Sequence, residues 1–303
     1  MSVTVAPAPV AALVTAYQRT DATLHTLRTI LNCVPPPAEV LVHVDGGAEA
    51  VTTAIRKAFP EIRVLTAATN VGPGGARNAL VGQSRQPLVA TFDDDSFPMD
   101  TDFFGRVDAL FAEFSEAWVI AARVYHVNEA IEPAHAVAEW AADFSGGGCA
   151  YRRERYLEVG GYVPLPNAYN MEEVDFALRL HAKGGKVLGT SWLRVFHDTD
   201  RARHADPDVT AASITNLALL AFLRYPLHLW TIGAAQCANR IQWLLRNGRH
   251  RGIGAGLAAI PARLWSHRHR RRRLPSATVR SYLALRRQPI PVPLDAAIAR
   301  AHR

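Results

Sequence analysis

The chain has 303 residues, of which 49% are hydrophobic and 20% charged, and a net charge of +7. This is the balance of an ordinary folded protein, long enough for one large α/β domain and an appendage. Cys33, Cys149 and Cys237 are far apart and form no Cys-x-x-Cys pair, which argues against a disulfide framework or a zinc site and fits a reducing cytoplasm.

The N-terminus lacks a basic stretch leading into an apolar one, so no secretory signal is expected. Val10 to Ala16 predicts a first strand, with Tyr17-Gln18-Arg19 at its carboxyl end. Thr20 or Asp21 is placed to cap a helix whose apolar positions, Leu24, Leu27, Ile30 and Leu31, recur at helical spacing. Val40 to Val44 predicts a second strand closed by Asp45-Gly46-Gly47, followed by a helix from about Ala48 to Phe59. Ile62 to Leu65 predicts a third strand, leading through Asn70-Val-Gly72-Pro-Gly-Gly-Ala-Arg77-Asn78 into another helix.

Leu88 to Phe92 is a short apolar run of the kind buried on both faces of a sheet, and it ends in Asp93-Asp94-Asp95. Adjacent carboxylates repel, and at the end of a buried strand they suit a cation or sugar hydroxyls. Strands alternating with helices predict right-handed crossovers and a mostly parallel sheet. The ends of such strands share one edge, so Tyr17, Asp45, Asn70 and the Asp triplet are expected to converge on one crevice. Gly72 to Arg77 has neither the Walker nor the dinucleotide glycine spacing, and alone it reads as a turn opening a helix.

Farther on, Phe103 to Phe114 predicts a helix and Ala117 to Val124 a strand. Gly146-Gly147-Gly148 suggests backbone passing close to something bulky. Asn170 or Met171 starts a helix with Glu172, Glu173 and Asp175 in its first turn, where carboxylates also complement the helix dipole. Val187-Leu188 and Trp192 to Phe196 predict a strand or strand pair ending in His197.

Between Asp208 and Asp295 there is no acidic residue but there are fourteen arginines, which leaves the remainder of the chain at −7. The composition predicts an acidic body, residues 1–208, and a basic helical extension, residues 209–303, facing different partners. The apolar stretch from Leu217 to Ile232 is interrupted by Arg224 and Pro226, which favours two helices over a membrane span: one ending before Pro226, the other from Leu227 to Leu245. Ile253 to Trp265 and Val279 to Leu285 offer further apolar faces. Arginine interspersed with Trp230, Trp243, Trp265 and leucines is the composition of helices lying on an anionic membrane surface. The acidic body gives no supporting module for nucleic-acid binding, so none is expected.

Taken in order from Val10 to about His204, these motifs resemble the family 2 glycosyltransferases of the GT-A fold: Tyr17-Gln-Arg19, Asp45-Gly-Gly, Asn70-x-Gly72-x-x-x-Ala-Arg77-Asn78, the Asp-x-Asp motif Asp93 to Asp95, Gly146 to Gly148, Glu172-Glu173-x-Asp175 and His197. The resemblance implies a Rossmann-like α/β domain binding a nucleoside-diphosphate sugar. It makes Tyr17, Asp45 and Arg77 the nucleotide-recognising set, with Asp45 accepting from the base and Arg19, Asn70, Gly72, Asp94, Gly147 and Gly148 around the same donor. Asp93 would face the ribose or sugar. Asp95 and His197 would hold Mg²⁺ or Mn²⁺ on the diphosphate. Glu173 takes the place of the general base, usually the Asp of a Glu-Asp pair, and Glu172 stays open as its alternative. The implied reaction is an inverting transfer to an acceptor hydroxyl. By analogy with similar tails, the acceptor is a polysaccharide or lipid-linked glycan of the cell envelope and the enzyme sits peripherally on the inner face of the cell membrane. A sugar-nucleotide nucleotidyltransferase and a non-catalytic nucleotide-binding scaffold are the alternatives; the first lacks its glycine-rich signature after Ala16.

Overall fold

The computed structural model describes residues 5–135, 137–165, 171–199 and 206–294. Asn170 and His204 lie outside them. Strand β1 (Ala8–Ala16) places Val10, Ala12 and Val14 in one hydrophobic core and Ala11 and Leu13 in another. Side chains alternate across a strand, so this sequence requires cover on both faces. Strands β2 (Pro37–Val44), β3 (Arg63–Thr66) and β4 (Leu88–Asp93) join it in parallel, in the order β4-β1-β2-β3. Helices α1 (Thr20–Leu31), α2 (Glu49–Ala58) and α3 (Gly72–Gln83) make the crossovers. On α1, Leu27 and Ile30 are fully buried, each stabilising the fold by about 1.5–3 kcal/mol. Thr20 and Asp21 do not cap this helix: Arg19 occupies the N-cap position without a side-chain bond, and Asp21 lies in the first turn, where its charge meets the helix dipole.

Beyond β4 the chain continues through β5 (Ser96–Pro98), α4 (Phe103–Glu113), β6 (Ala117–His126), β7 (Ala138–Ala141), β8 (Gly148–Arg152), α5 (Arg153–Val159), α6 (Glu172–Ala182) and β9 (Lys186–His197). Here the sheet becomes mixed. Strand β8 runs antiparallel between β4 and β6, β9 is parallel to β6, and β5 and β7 are antiparallel to β9. The two segments expected around Val187 and Trp192 are one strand, with a register shift against β6 at Ala122/Arg123.

The extension consists of α7 (Pro207–Arg224), a 3₁₀ turn at Leu227–Leu229, α8 (Trp230–Arg246), α9 (Ile253–Ser266), α10 (Ser276–Arg287) and the edge strand β10 (Ile290–Val292), which pairs with β7. Pro226 separates α7 from α8, as the sequence predicts. The extension is not detached from the body. Leu219, Leu220 and Leu223 of α7 and Val279 and Tyr282 of α10 share a core with Ala177 and Leu178 of α6.

Candidate active site

Strands β1, β2 and β4 end in register, with Ala16 opposite Val44 and Thr15 opposite Asp93. The segments that follow them open on the same edge, around a cavity of about 380 Å³ lined by Tyr17, Arg19, Asp45, Asn70, Gly72, Asp93, Asp94, Asp95 and His197. His197 reaches it because β9 pairs with β5, Ser96 opposite His197. The convergence expected from the strand pattern is therefore present for Tyr17, Asp45, Asn70 and Asp93 to Asp95, and Arg19, Gly72 and His197 join them. Arg77, Gly147, Gly148, Glu172 and Glu173 stand behind the cavity wall instead.

Four carboxylates line this cavity; cations and hydroxyls of the chain hold Asp93, Asp94 and Asp95, and backbone amides hold Asp45. Arg19 forms short ion pairs with Asp94 and Asp95, and its Nε donates to Asp94 Oδ2 at 3.2 Å. Asp94 also accepts from the Tyr17 amide at 3.1 Å. Burial pushes the Asp94 carboxyl up to about 6, against the pull of Arg19. Asp95 is buried too, but bonds from His197 and Thr199 outweigh burial and hold it at about 2. The Thr199 hydroxyl bonds to Asp95 Oδ2, and His197 Nε2 lies 3.1 Å from Oδ1. Burial lowers the His197 pKa, yet its bond to Asp95 leaves it raised overall.

Asp45 and Asn70 are engaged with the start of α3. Asp45 accepts from the amides of Val71 and Gly72, both at 3.0 Å, and Asn70 Oδ1 accepts from the Gly72 amide at 2.8 Å. They answer amides that helix geometry leaves without intrahelical partners. The Tyr17 ring lies against Gly46, whose φ of +63° is a left-handed conformation that favours glycine.

Arg77 is turned inward. It donates to Asp93 Oδ1 at 2.5 Å and lies 3.8 Å from Glu173 Oε1, so it links the cavity to the acidic start of α6. Because β8 is antiparallel to β4, Phe92 faces Gly148 and the glycine turn falls beside Asp93. A Cβ on Gly146 would overlap Arg77 and Glu173, one on Gly147 would overlap Asp93 Oδ2, and one on Gly148 would overlap Val124. The bulky neighbours expected from three glycines are thus mainly the charged groups themselves. We expect Gly147→Ala to push Asp93 off Thr15 and Arg77, lowering nucleotide affinity with little change in melting temperature; calorimetry and thermal denaturation check both.

Glu172 and Glu173 differ sharply. Glu172 is wholly enclosed, accepting from the Leu165 amide at 3.2 Å and packed against Gly74, and burial holds its carboxyl well above the usual range. Glu173 is a quarter exposed; burial raises its pKa while Arg77 opposes the rise. Of the two, Glu173 is the one with solvent access. Asp175 points away from the cavity and is fully buried between Arg179 at 2.8 Å and Arg224 of α7 at 2.5 Å. Sequence reading missed the supporting hydroxyls: Thr15 on Asp93 at 3.1 Å, Ser96 bonded to the Asp93 amide and the Gly147 carbonyl at 2.7 Å each, and Thr199. A Ser or Thr near a strand end is too common to stand out.

Among the described residues no three His, Cys, Asp or Glu side chains converge as a metal cage. Asp95 Oδ1 is nevertheless buried, and among the described residues its one polar neighbour is His197 Nε2 at 3.1 Å. An oxygen and a nitrogen so placed fit a divalent cation that takes its other ligands from water and phosphate.

A mixed sheet with a carboxylate-lined crevice at its strand ends is the arrangement of the GT-A fold, and similarity to known proteins places the chain in that class. Residues 7–217 match the family described as "Glycosyltransferase like family 2", and the chain belongs to it. It is 35% identical over 85 residues to succinoglycan biosynthesis protein ExoO of Rhizobium meliloti (strain 1021), a match spanning 27% of this chain and 24% of that protein. Solved structures share the fold at lower identity. The mannosyltransferase PcManGT from Pyrobaculum calidifontis, in complex with GDP-Man and Mn²⁺, aligns with TM-score 0.56 and 16% identity over 94% of this chain and 90% of its own. TarS 1-349 of S. aureus with UDP-GlcNAc gives 0.54 and 14% over 86% and 91%. GalNAc-T7 with UDP, GalNAc and Mn²⁺ gives 0.58 and 12% over 85% and 57%.

Proposed function

We propose that the chain transfers a sugar from a nucleoside-diphosphate donor to an acceptor hydroxyl with inversion, in the assembly of a cell-envelope glycan. The observation that carries this reading is the juxtaposition of Asp93 with two groups of opposite task. On one side lie Asp95 and His197, fit for a cation; on the other, through Arg77, lies Glu173. Mg²⁺ or Mn²⁺ bound there would offset the charge that develops on the departing diphosphate. Glu173 takes the proton of the acceptor hydroxyl as its oxygen attacks the anomeric carbon. Arg77 fixes Asp93 and Glu173 relative to each other, and Asp93 keeps one oxygen, Oδ2, toward the glycine turn and the donor. GDP-Man and UDP-GlcNAc bound to fold relatives, and the role of ExoO in succinoglycan biosynthesis, support the donor class and the envelope-glycan reading. Titration calorimetry of nucleoside diphosphates with and without Mn²⁺ tests it. We expect Mn²⁺-dependent binding in the wild type and its loss in Asp95→Asn; equal binding by both would overturn the assignment.

The extension is read as a peripheral membrane anchor. No helix among the described residues is long and apolar enough to cross a membrane. Trp265 is 68% exposed with the Arg268 guanidinium 4.0 Å above it, and exposed Trp243 is covered by Arg240 at 4.6 Å. Aromatic rings beside guanidinium groups suit the headgroup layer of an anionic bilayer. Trp243→Ser/Trp265→Ser should lose flotation with phosphatidylglycerol vesicles while keeping the wild-type melting temperature.

A further inference from the structure

The segment after α5 and the arginine-rich segment after α9 face each other across a second cavity, of about 320 Å³. Arg179, Arg224, His269, Arg270 and Arg272 line it beside Tyr162, and it shares no lining residue with the carboxylate crevice. Among the described residues the acidic group bonded to this set is Asp175, which is fully buried and already held by Arg179 and Arg224. One negative charge against four guanidinium groups leaves the cavity strongly positive.

The two outer arginines are held by their backbone; the Arg272 guanidinium spends one N–H on the Arg271 carbonyl at 3.0 Å and keeps the others, and the Arg270 guanidinium stays available. The carbonyls of Arg270 and Arg272 accept from Arg224 Nη1 at 3.3 and 3.5 Å. The amides of Arg272 and Leu274 donate to the carbonyls of Leu223 and Arg224. Neither Arg270 nor Arg272 has a carboxylate partner among the described residues, and both side chains are exposed. The chain thus fixes a run of arginines at the rim of a concavity whose deeper wall is also arginine. A planar guanidinium offers paired N–H groups that match two oxygens of one phosphate. Arg270 and Arg272 present such groups at the rim, while Arg179 and Arg224, bonded to Asp175 and to the carbonyls of Val159, Gly161, Arg270 and Arg272, add fixed positive charge from the deeper wall.

The geometry points to a phosphate site in this cavity, taking a phosphomonoester or diphosphate group. That chemistry is shared by lipid headgroups and by free phosphates. The site lies close to the catalytic apparatus: the Tyr162 ring at its wall is 6.0 Å from the Arg77 guanidinium, which pairs with Asp93 and Glu173. It does not depend on a bound metal, so the test is made in chelator, where the carboxylate crevice is left without a cation.

Arg270→Gln/Arg272→Gln is compared with Arg246→Gln/Arg251→Gln, which removes the same charge from exposed positions elsewhere on the extension. Both are made in the full chain and checked for an unchanged melting temperature. Pyrophosphate binding is measured by calorimetry, and sedimentation is measured with phosphatidylcholine vesicles with and without phosphatidic acid. A loss of tenfold or more in pyrophosphate affinity for the first variant only supports the site with a free diphosphate as ligand. The same selective loss on phosphatidic acid vesicles, without pyrophosphate binding, supports it with a lipid headgroup as ligand. Equal weakening of both variants, or no binding of either probe by the wild type, overturns it.

Discussion

Glu173→Gln is expected to lower the rate of sugar transfer by about 10³-fold, within the range general-base catalysis supplies, while leaving melting temperature and nucleotide affinity near wild type. Glu172→Gln is expected to lose less than about tenfold on the same scale. The contrast follows from burial. Glu172 is enclosed, and burial raises its carboxyl well above the usual range, so a neutral amide of the same shape replaces it with little change. Glu173 is partly exposed and must be ionised to accept a proton. Its raised pKa sets the sign of the pH dependence: transfer is present above that pKa and lost as pH falls through it, at a higher pH than an ordinary carboxylate with its value of 4.5 would give. Single-turnover rates of both variants, with the wild-type pH profile, check these statements. A fully active Glu173→Gln would move the base to another residue.

Arg224→Ala should destabilise the protein by up to about 3–5 kcal/mol, the range for breaking a buried ion pair, with Arg179 left as the remaining partner of the Asp175 carboxylate. Asp175 is fully buried and Arg224 nearly so, and Arg224 supplies two of the bonds to that carboxylate. The Asp175 pKa is lowered, because Arg179 and Arg224 overcome its burial. The stability it contributes is therefore present above the unfolded value of 3.8 and lost as pH falls through the lower folded one. Urea denaturation at neutral pH measures the loss. A chain ended after Asp208 loses Arg224 and the apolar cover of α6, and is expected not to fold; membrane binding is therefore tested with surface substitutions in the intact chain.

The sheet edge was legible because β1, β2 and β4 are apolar on both faces and each is followed by a polar break. Such runs state both their depth and their ends. Strands β5, β7 and β10 have three or four residues each, too few to show a period, and the seven-residue α5 was hidden for the same reason. Residue types in the site were readable, but the direction of side chains was not. The resemblance makes Asp45, Arg19 and Arg77 donor contacts, and it carries no sign of the partners that these side chains have within the chain. The structure has Asp45 on the amides of α3, Arg19 on Asp94 and Asp95, and Arg77 on Asp93 and Glu173. These pairings join segments up to 96 positions apart, and no local pattern records them. The Glu172/Glu173 ambiguity had the same origin: adjacent residues of one type differ only in which wall of the fold they meet.

The pairing of Asp45 and Asn70 with the start of α3 bears on the order in which ligands arrive. A free helix start would attract phosphate on its own, but here a carboxylate has taken that position and three more line the same hollow. A bare nucleotide sugar approaches a like-charged wall, whereas its cation complex does not. Initial-rate kinetics should accordingly show ordered addition, with the donor entering only together with, or after, the divalent ion, and excess uncomplexed nucleotide sugar acting as neither substrate nor strong inhibitor.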